Sequence, residues 1–426
     1  MTSRTRIVVT GMGSVTPFGI GVQSFWNGIL KGQSGVAAIS DAKLSQWVPV
    51  AAEIKNFSPE SFLPKKLVLD TDRFTQLALV AAMEAIGDAG FDSTSENPFG
   101  THGESDRVGI SMGSAFGGVQ SLEAGAIKLT SSTRVSPRIV SKSIPNAAAG
   151  AIAMRYHIQG PSMTYATACA SAANAIGEAS YWLRGGEVDM VLAGGAECLF
   201  TPVILAGLRA AGALAVAGPE DLSRWSRPFD RDRQGMVMGE GAAVLLLEEL
   251  EHAKARGAKI YAELTGYGAS NDAYHETAPH PQGDGAALAM TRALKSAGLS
   301  PQDIDYVNAH ATSTPAGDAA ESLALRRVFG EVLANIPVSS IKGATGHMLG
   351  TAGAIESVAC IKAIEDNLLP PTVHCDNPDD VAPPDLILNT PREQHVERVL
   401  SNSFGFGGQN GVLVWERSKY FDIRNN

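Results

Sequence analysis

Thr164-Tyr165-Ala166-Thr167-Ala168-Cys169-Ala170-Ser171-Ala172 is a run in which a β-like segment ends on a cysteine and small residues carry the chain straight into a helix. From Ala170 to Arg184 apolar residues recur at Ala172, Ile176, Ala179 and Leu183, and Gly185-Gly186 stops the pattern. The stretch therefore predicts a strand, a turn holding Cys169, and a helix. A thiol at the first turn of a helix feels the positive end of the helix dipole, which favours the thiolate and its attack on a carbonyl carbon. Position alone is weak support, because cysteines outside disulfides are mostly buried packing residues.

Outward from this unit the chain alternates strands and helices, the signature of an α/β protein. Upstream, Arg6 to Thr10 reads as a short buried strand, with Gly11-Met12-Gly13-Ser14 turning out of it. The glycines do not complete G-x-G-x-x-G, since position 16 is Thr, so no dinucleotide site is inferred. Helices are expected over Ser24–Lys31, Phe74–Ala89 and Asn146–Tyr156, a surface loop over 91–106, and a strand over Arg107–Gly113. Gly109-Ile110-Ser111-Met112-Gly113 matches the nucleophile elbow G-x-S-x-G, but Ser114 to Gly118 does not continue as the helix that elbow demands. Downstream lie a strand over Val188–Ala193 running into Gly194-Gly195-Ala196-Glu197, a turn-rich connection over 217–235, and a strand over Ala242–Glu248.

The second half repeats this order. Lys259–Gly268 corresponds to the opening strand, Gly285–Ala297 to helix 74–89, and Tyr306–His310 to strand 107–113. Pro337–Ile341 with helix 351–365 corresponds to the Cys169 unit, and Val399–Gly408 to 188–195. An internal duplication follows, with the join near 250–258 and halves at 1–257 and 258–426. In such a pseudo-dyad the Cys169 turn and the 342–350 turn should meet at the centre.

Composition narrows the function classes. With 45 glycines, 18% charged and 6% aromatic residues among 426, the chain reads as a tightly packed globular protein. A net charge of −10 argues against general nucleic-acid binding. Cys169, Cys198, Cys360 and Cys375 show no CxxC spacing, so neither a zinc site nor a disulfide framework is expected, and a reducing cytoplasm fits. The apolar run after Arg4 and Arg6 is cut by Gly11, Gly13 and Pro17, unlike a signal peptide. Met190 to Leu208 carries Glu197 and Pro202 and is read as a core strand and turn, not a membrane span.

Three further signals converge on Cys169. Asn308-Ala309-His310-Ala311-Thr312-Ser313-Thr314-Pro315 puts a histidine at a strand end with hydroxyls beyond it. Lys342-Gly343-Ala344-Thr345-Gly346-His347-Met348-Leu349-Gly350 puts a lysine and a histidine in a Gly-rich turn, and Phe404-Gly405-Phe406-Gly407-Gly408 offers backbone N–H groups. A single histidine is more often a surface or satisfied core residue. Two of them at matched element ends facing one nucleophile point to a catalytic centre.

The combination of Thr-Ala-Cys-Ala-Ser at 167–171, Asn-Ala-His-Ala-Thr-Ser-Thr-Pro-Ala-Gly-Asp at 308–318, Thr-Gly-His-Met-Leu-Gly at 345–350 and Asn-Ser-Phe-Gly-Phe-Gly-Gly at 402–408 is specific. Over essentially its whole length the chain resembles the β-ketoacyl-acyl carrier protein synthases, and most closely the elongating type II enzymes of bacterial fatty-acid synthesis. The resemblance implies a thiolase-like fold of two duplicated βαβαβαββ halves in a five-layered α-β-α-β-α core. It implies that Cys169 takes an acyl chain from a carrier thioester, with the backbone N–H groups of Cys169 and Phe406 as oxyanion hole and Phe406 also as gate. His310 and His347 would hydrogen-bond the malonyl thioester during decarboxylation, and Lys342, matched to Glu356, would supply a fixed charge. Thr312, Thr314, Phe404, Gly407 and Gly408 would line the substrate path, and Asp318 and Glu321 would support it from behind. No metal or organic cofactor is implied; acyl carrier protein is the implied partner, in a cytoplasmic homodimer with the strand around Tyr165 at its interface. No membrane or nucleic-acid partner is implied.

Subfamily marks and departures refine this expectation. A thiolase would carry a second catalytic cysteine in the C-terminal turn, initiating enzymes pair His with Asn, and a chain-length factor lacks the nucleophile. Ala311, Gly343-Ala344 and Gln409 differ from the usual elongating pattern, and Leu69, Asp70 and Gly212 stand where basic carrier-docking residues are usual, while Lys66 and Arg134 remain. Phe116 stands where a smaller residue lines the end of the acyl tunnel, so shorter chains are expected. Primary fatty-acid synthesis leads; a specialised type II polyketide or polyene pathway, a heterodimer with a ketosynthase-like subunit, and a non-catalytic partner subunit are the alternatives.

Overall fold

In the computed structural model, which describes residues 5–100, 105–131 and 134–420, the two halves build the same sheet twice. Strands β1 (Ile7–Thr16), β2 (Val108–Gly113), β3 (Ser162–Tyr165), β4 (Met190–Glu197) and β5 (Gly241–Glu249) lie in the order β3-β2-β4-β5-β1. Strands β6 (Ala262–Asn271), β7 (Tyr306–Asn308), β8 (Val338–Ser339), β9 (Arg398–Gly405) and β10 (Gln409–Glu416) repeat it as β8-β7-β9-β10-β6. Directions repeat as well. β2 is parallel to β3 and β4, and β5 runs antiparallel to β4 and β1. β7 is parallel to β8 and β9, and β10 runs antiparallel to β9 and β6. Val8 and Val9 pair with Glu263 and Ala262, which joins the two arrays into one 11-stranded sheet that includes the short Gly19–Ile20 strand hairpinned onto β1.

The helices that matter for layering are α1 (Arg73–Asp88), α2 (Val119–Ser131), α3 (Ala147–Tyr156), α4 (Ser171–Arg184), α5 (Asp284–Ala297), α6 (Pro315–Phe329) and α7 (Ala352–Asp366). Side-chain alternation along the strands explains where they sit. On β5, Leu245 and Leu247 face a central core with Ile176 of α4 and Val358 of α7, while Val244 and Leu246 face Leu77 and Val80 of α1. On β10, Leu413 and Trp415 face the same central core, while Val412 and Val414 face Met290 of α5 and Leu325 of α6. Strands apolar on both faces must be covered on both. The result is α1 and α3, the first five-stranded array, α4 and α7, the second array, then α5 and α6: the α-β-α-β-α stack of the thiolase-like fold, its two β layers joined at one edge through β1 and β6.

The central helices are enclosed along most of their length, α4 reaching solvent at Tyr181, and their closest contacts leave no room for side chains. All α7 residues from Ala352 to Ile364 are buried. A Cβ on Gly353 would come within 2.7 Å of Ala173 N, and one on Gly113 within 2.4 Å of Ala172 N.

Several local expectations are corrected. The expected turn at Gly11–Ser14 is instead continuous strand, with a bulge between Val9 and Gly11, because α1 packs directly on it: a Cβ on Gly13 would meet Ala81 O at 2.1 Å. Strand β4 likewise continues through Gly194-Gly195 to Glu197. The 190–208 segment is a strand followed by a helix, Pro202–Ala210, capped by Thr201. Helices α2 and α6 were not anticipated, and part of the 91–106 loop lies outside the described residues. No helix among the described residues is long and apolar enough to cross a membrane.

Since Gly113 fixes how closely α4 approaches β2, Gly113→Ala should destabilise the protein by about 1–3 kcal/mol, the usual cost of overpacking a core contact. Urea denaturation measures it, and an unchanged midpoint would refute the packing argument.

Candidate active site

Cys169 is held at the junction of the two halves. Strand β3 ends at Tyr165, Ala168 turns the chain at φ 50°, and a 3-10 turn over Ala168–Ala170 leads into α4. Ser171 Oγ accepts from the Thr167 N–H at 2.9 Å and donates to the Ala168 carbonyl at 2.6 Å, which fixes the turn. The end of β9 passes over it at Gly405, where a Cβ would lie 3.0 Å from Cys169 N. The next residue, Phe406, directs its backbone N–H at the Cys169 thiol.

Both histidines are positioned through their main chains. Glu321 on α6 accepts from the N–H groups of His310 (2.9 Å) and Ala311 (2.7 Å) and from Asn402 Nδ2 (2.9 Å). His347 donates its N–H to the Val237 carbonyl at 2.7 Å, and its own carbonyl accepts from the Gly239 N–H at 2.8 Å. The two imidazoles meet edge to face at 5.3 Å and 83°, with the Phe404 ring 5.8 Å from His310. Cys169 Sγ and one nitrogen of each imidazole lie within 4.8 Å of one another. All three residues are buried, and Lys342 beneath them is ion-paired with Glu356 of α7.

Burial sets the protonation states. It pushes the Cys169 thiol up to about 12, against the opposing pull of Lys342 and the Phe406 N–H. The resting group is therefore a thiol, which corrects the expectation of a dipole-favoured thiolate: desolvation of the charged form outweighs the helix terminus. Burial, and then Lys342, hold His310 and His347 well below the usual imidazole range, so both rings are neutral at pH 7.

A cavity of 320 Å³ opens onto Cys169, His310, His347, Phe404 and Phe406. Thr312 and Thr314 line its wall with their hydroxyls 3.0 Å apart. Asp318 lies behind, accepting from the Phe229 N–H at 2.9 Å and facing Arg233 at 3.4 Å. Gly407 and Gly408, expected to line the substrate path, are not on this wall; the Gly407 N–H donates to the Glu276 carbonyl and the Gly408 carbonyl accepts from the Asp272 N–H. Phe116 is also off it, 45% exposed, because the chain turns outward at Gly117 (φ 67°) toward α2.

Two contributors are absent from the site residues singled out in the sequence. The segment Thr277–His280 forms part of the cavity wall, anchored by Asp272 Oδ2 accepting from the His280 N–H at 2.9 Å. Glu197, fully buried and pushed up to about 7, accepts from the Ala115 N–H (2.5 Å), the Ser114 hydroxyl (3.2 Å) and the Gly350 N–H (3.2 Å). Its signal was a lone carboxylate at the end of an otherwise apolar strand.

Known proteins resemble this chain in sequence and in fold. Residues 4–253 match the family described as Beta-ketoacyl synthase, N-terminal domain, and residues 261–376 the Beta-ketoacyl synthase, C-terminal domain. A Coxiella burnetii protein named 3-oxoacyl-[acyl-carrier-protein] synthase 2 is 40% identical over 417 residues, spanning 97% of this chain and 99% of its own. Among solved structures, a type II PKS acyl-carrier protein in complex with its ketosynthase bound to the hexaketide superposes with a TM-score of 0.89 at 32% identity, covering 98% of this chain and 100% of that one. The ishigamide ketosynthase/chain length factor superposes with a TM-score of 0.88 at 33% identity, with the same coverage.

Two measurements follow. With the thiol at about 12, the alkylation rate of Cys169 by iodoacetamide should rise about tenfold per pH unit from 7 to 10 without a plateau; a plateau near neutrality would mean a preformed thiolate. Glu356→Gln leaves the buried Lys342 ammonium unpaired and should cost about 3–5 kcal/mol by chemical denaturation, whereas a loss under 1 kcal/mol would show that the pair is not needed.

Proposed function

The chain belongs to the β-ketoacyl synthase family, and from that membership we propose a residue-by-residue mechanism for a 3-oxoacyl-acyl carrier protein synthase. The observation that carries it is one thiol and two neutral imidazoles within 4.8 Å, at the end of a cavity. An acyl thioester on a carrier's pantetheine enters along Thr312 and Thr314. Cys169 Sγ attacks its carbonyl carbon while the thiol proton passes to an adjacent imidazole nitrogen. The developing oxyanion faces the backbone N–H groups of Cys169 and Phe406, and the proton leaves on the pantetheine sulfur.

Malonyl thioester then replaces it. His310 and His347 hydrogen-bond its thioester oxygen, the bond to the carboxylate breaks, carbon dioxide departs, and the electron pair forms an enolate. That carbon attacks the acyl-Cys169 carbonyl, the C–S bond breaks to release the 3-oxoacyl thioester, and the Cys169 thiolate takes up a proton from solvent to regenerate the thiol. Neutral imidazoles suit this step because negative charge on the oxygen exists only along the reaction. Lys342 adds a positive charge whose ground-state partner is Glu356. No metal or organic cofactor enters any step.

Acyl carrier protein is the partner this chemistry requires. A homodimer through β3 is supported by that strand's pairing on one side only and by its half-exposed Met163, which a second copy would cover. Cytoplasmic placement is supported by four unpaired cysteines. For the pathway, chain elongation in fatty-acid synthesis is favoured by the relative at 40% identity. The polyketide reading draws on the ketosynthases at 32–33% and on a docking face in which Asp70 is ion-paired with Arg138 and Leu69 is exposed.

Intact-mass analysis with acyl-carrier proteins of graded chain length tests this. Acyl mass should appear on wild type and be absent from Cys169→Ala. His310→Ala or His347→Ala should retain acylation yet slow decarboxylation about 10²–10³-fold, the scale of losing one preorganised donor. Acylation of Cys169→Ala would overturn the assignment. A block at long chains would favour a specialised pathway.

A further inference from the structure

The thiol and two imidazoles at the junction also compose a donor set for a different ligand. One sulfur and two nitrogens lie within 4.8 Å of one another on buried side chains. Among the described residues, neither ring nitrogen of His347 has a hydrogen-bond partner, nor has Nδ1 of His310. Those ring nitrogens are uncommitted, the sulfur meets only the Phe406 backbone N–H, and the three side chains are carried on different elements: the turn before α4, the end of β7, and the turn before α7. A tetrahedral zinc ion, with Zn–S about 2.3 Å and Zn–N about 2.0–2.1 Å, wants its donors about 3.4–3.6 Å apart. Closing the present spacing takes about 1 Å of side-chain adjustment.

We propose that Cys169, His310 and His347 bind one borderline-soft divalent cation of the Zn²⁺ class, and that this binding reversibly blocks the protein. The thiol loses its proton to solvent as the Zn–S bond forms; the imidazoles coordinate through nitrogen lone pairs, and no electrons are transferred. The fourth position faces the cavity, where water or a small anion completes the shell. Hard cations are excluded, because Mg²⁺ and Ca²⁺ prefer oxygen ligands. The ionised Lys342 nearby opposes a cation, but its charge is matched by Glu356, and the field of the Glu197 carboxyl also reaches the thiol. The rings lack the hydrogen-bonded supports that tighten dedicated metal sites, so binding is weaker than at a structural zinc site. Metal and acyl group compete for the same sulfur.

Binding depends only on the geometry, whereas the block depends on the ketosynthase reading, so two readouts separate them. Calorimetric titration of the reduced protein with ZnCl₂ should find one more zinc per chain in wild type than in Cys169→Ala or in carbamidomethylated wild type, with one proton released. His310→Gln and His347→Gln should each weaken that zinc at least tenfold, and MgCl₂ should give no such difference. Zinc should slow iodoacetamide modification of Cys169 and acyl transfer in parallel, both restored by a chelator. Equal zinc uptake by wild type and Cys169→Ala overturns the site. Zinc bound at Cys169 with acyl transfer unaffected overturns the block. An enzyme that shows no acyl transfer before any zinc is added refutes the ketosynthase reading while the titration still decides the site.

Discussion

The structure turns on two helices that are buried along almost their whole length. Helices α4 and α7 are pressed between two sheets, and their mutual contact at Gly353 and Ala173 brings backbone against backbone. That constraint explains the wealth of glycine and alanine in the sequence better than any local turn does. It also dictates where chemistry can occur. Each central helix begins at a turn beside the pseudo-dyad, and the turns before α4 and α7 carry Cys169 and His347.

The same enclosure governs the electrostatics. Removing water disfavours every charged form, so the thiol stays protonated and the imidazoles stay neutral. The charge that is retained, Lys342, is tolerated only because Glu356 projects from α7 to meet it. A dry, uncharged reaction centre with one fixed cation nearby strengthens any interaction with charge that develops later. Proton transfer to and from Cys169 then runs through the adjacent imidazoles and the groups that enter the cavity.

Positioning is delegated to distant carboxylates. Glu321 holds the main chain of His310 and ties it to Asn402 on β9, while Glu197 links the turn after β2 to Gly350 in the turn after His347. The rings are thus fixed through their backbones, and their nitrogens remain available to a ligand. Asp272 does the same for the cavity wall, joining the Thr277–His280 segment to the Gly408 turn.

The alternation of elements, the duplication and the motifs around Cys169, His310, Lys342 and His347 were legible in the chain, because they rest on local periodicity and on residue types repeated in order. Glycines misled where their cause was not local. Gly11 and Gly13 read as a turn, yet they lie inside a strand because the neighbouring helix leaves no space for a Cβ. Where Phe116 and the Gly407-Gly408 pair lie was not legible in their motifs, because the direction a loop takes after Gly117 or Gly405 depends on what it packs against. The protonation state of Cys169 shows the division most clearly. Sequence alone placed the thiol at a helix start, where the dipole acts within one turn; only the tertiary structure, by closing two sheets over that turn, made desolvation the larger effect.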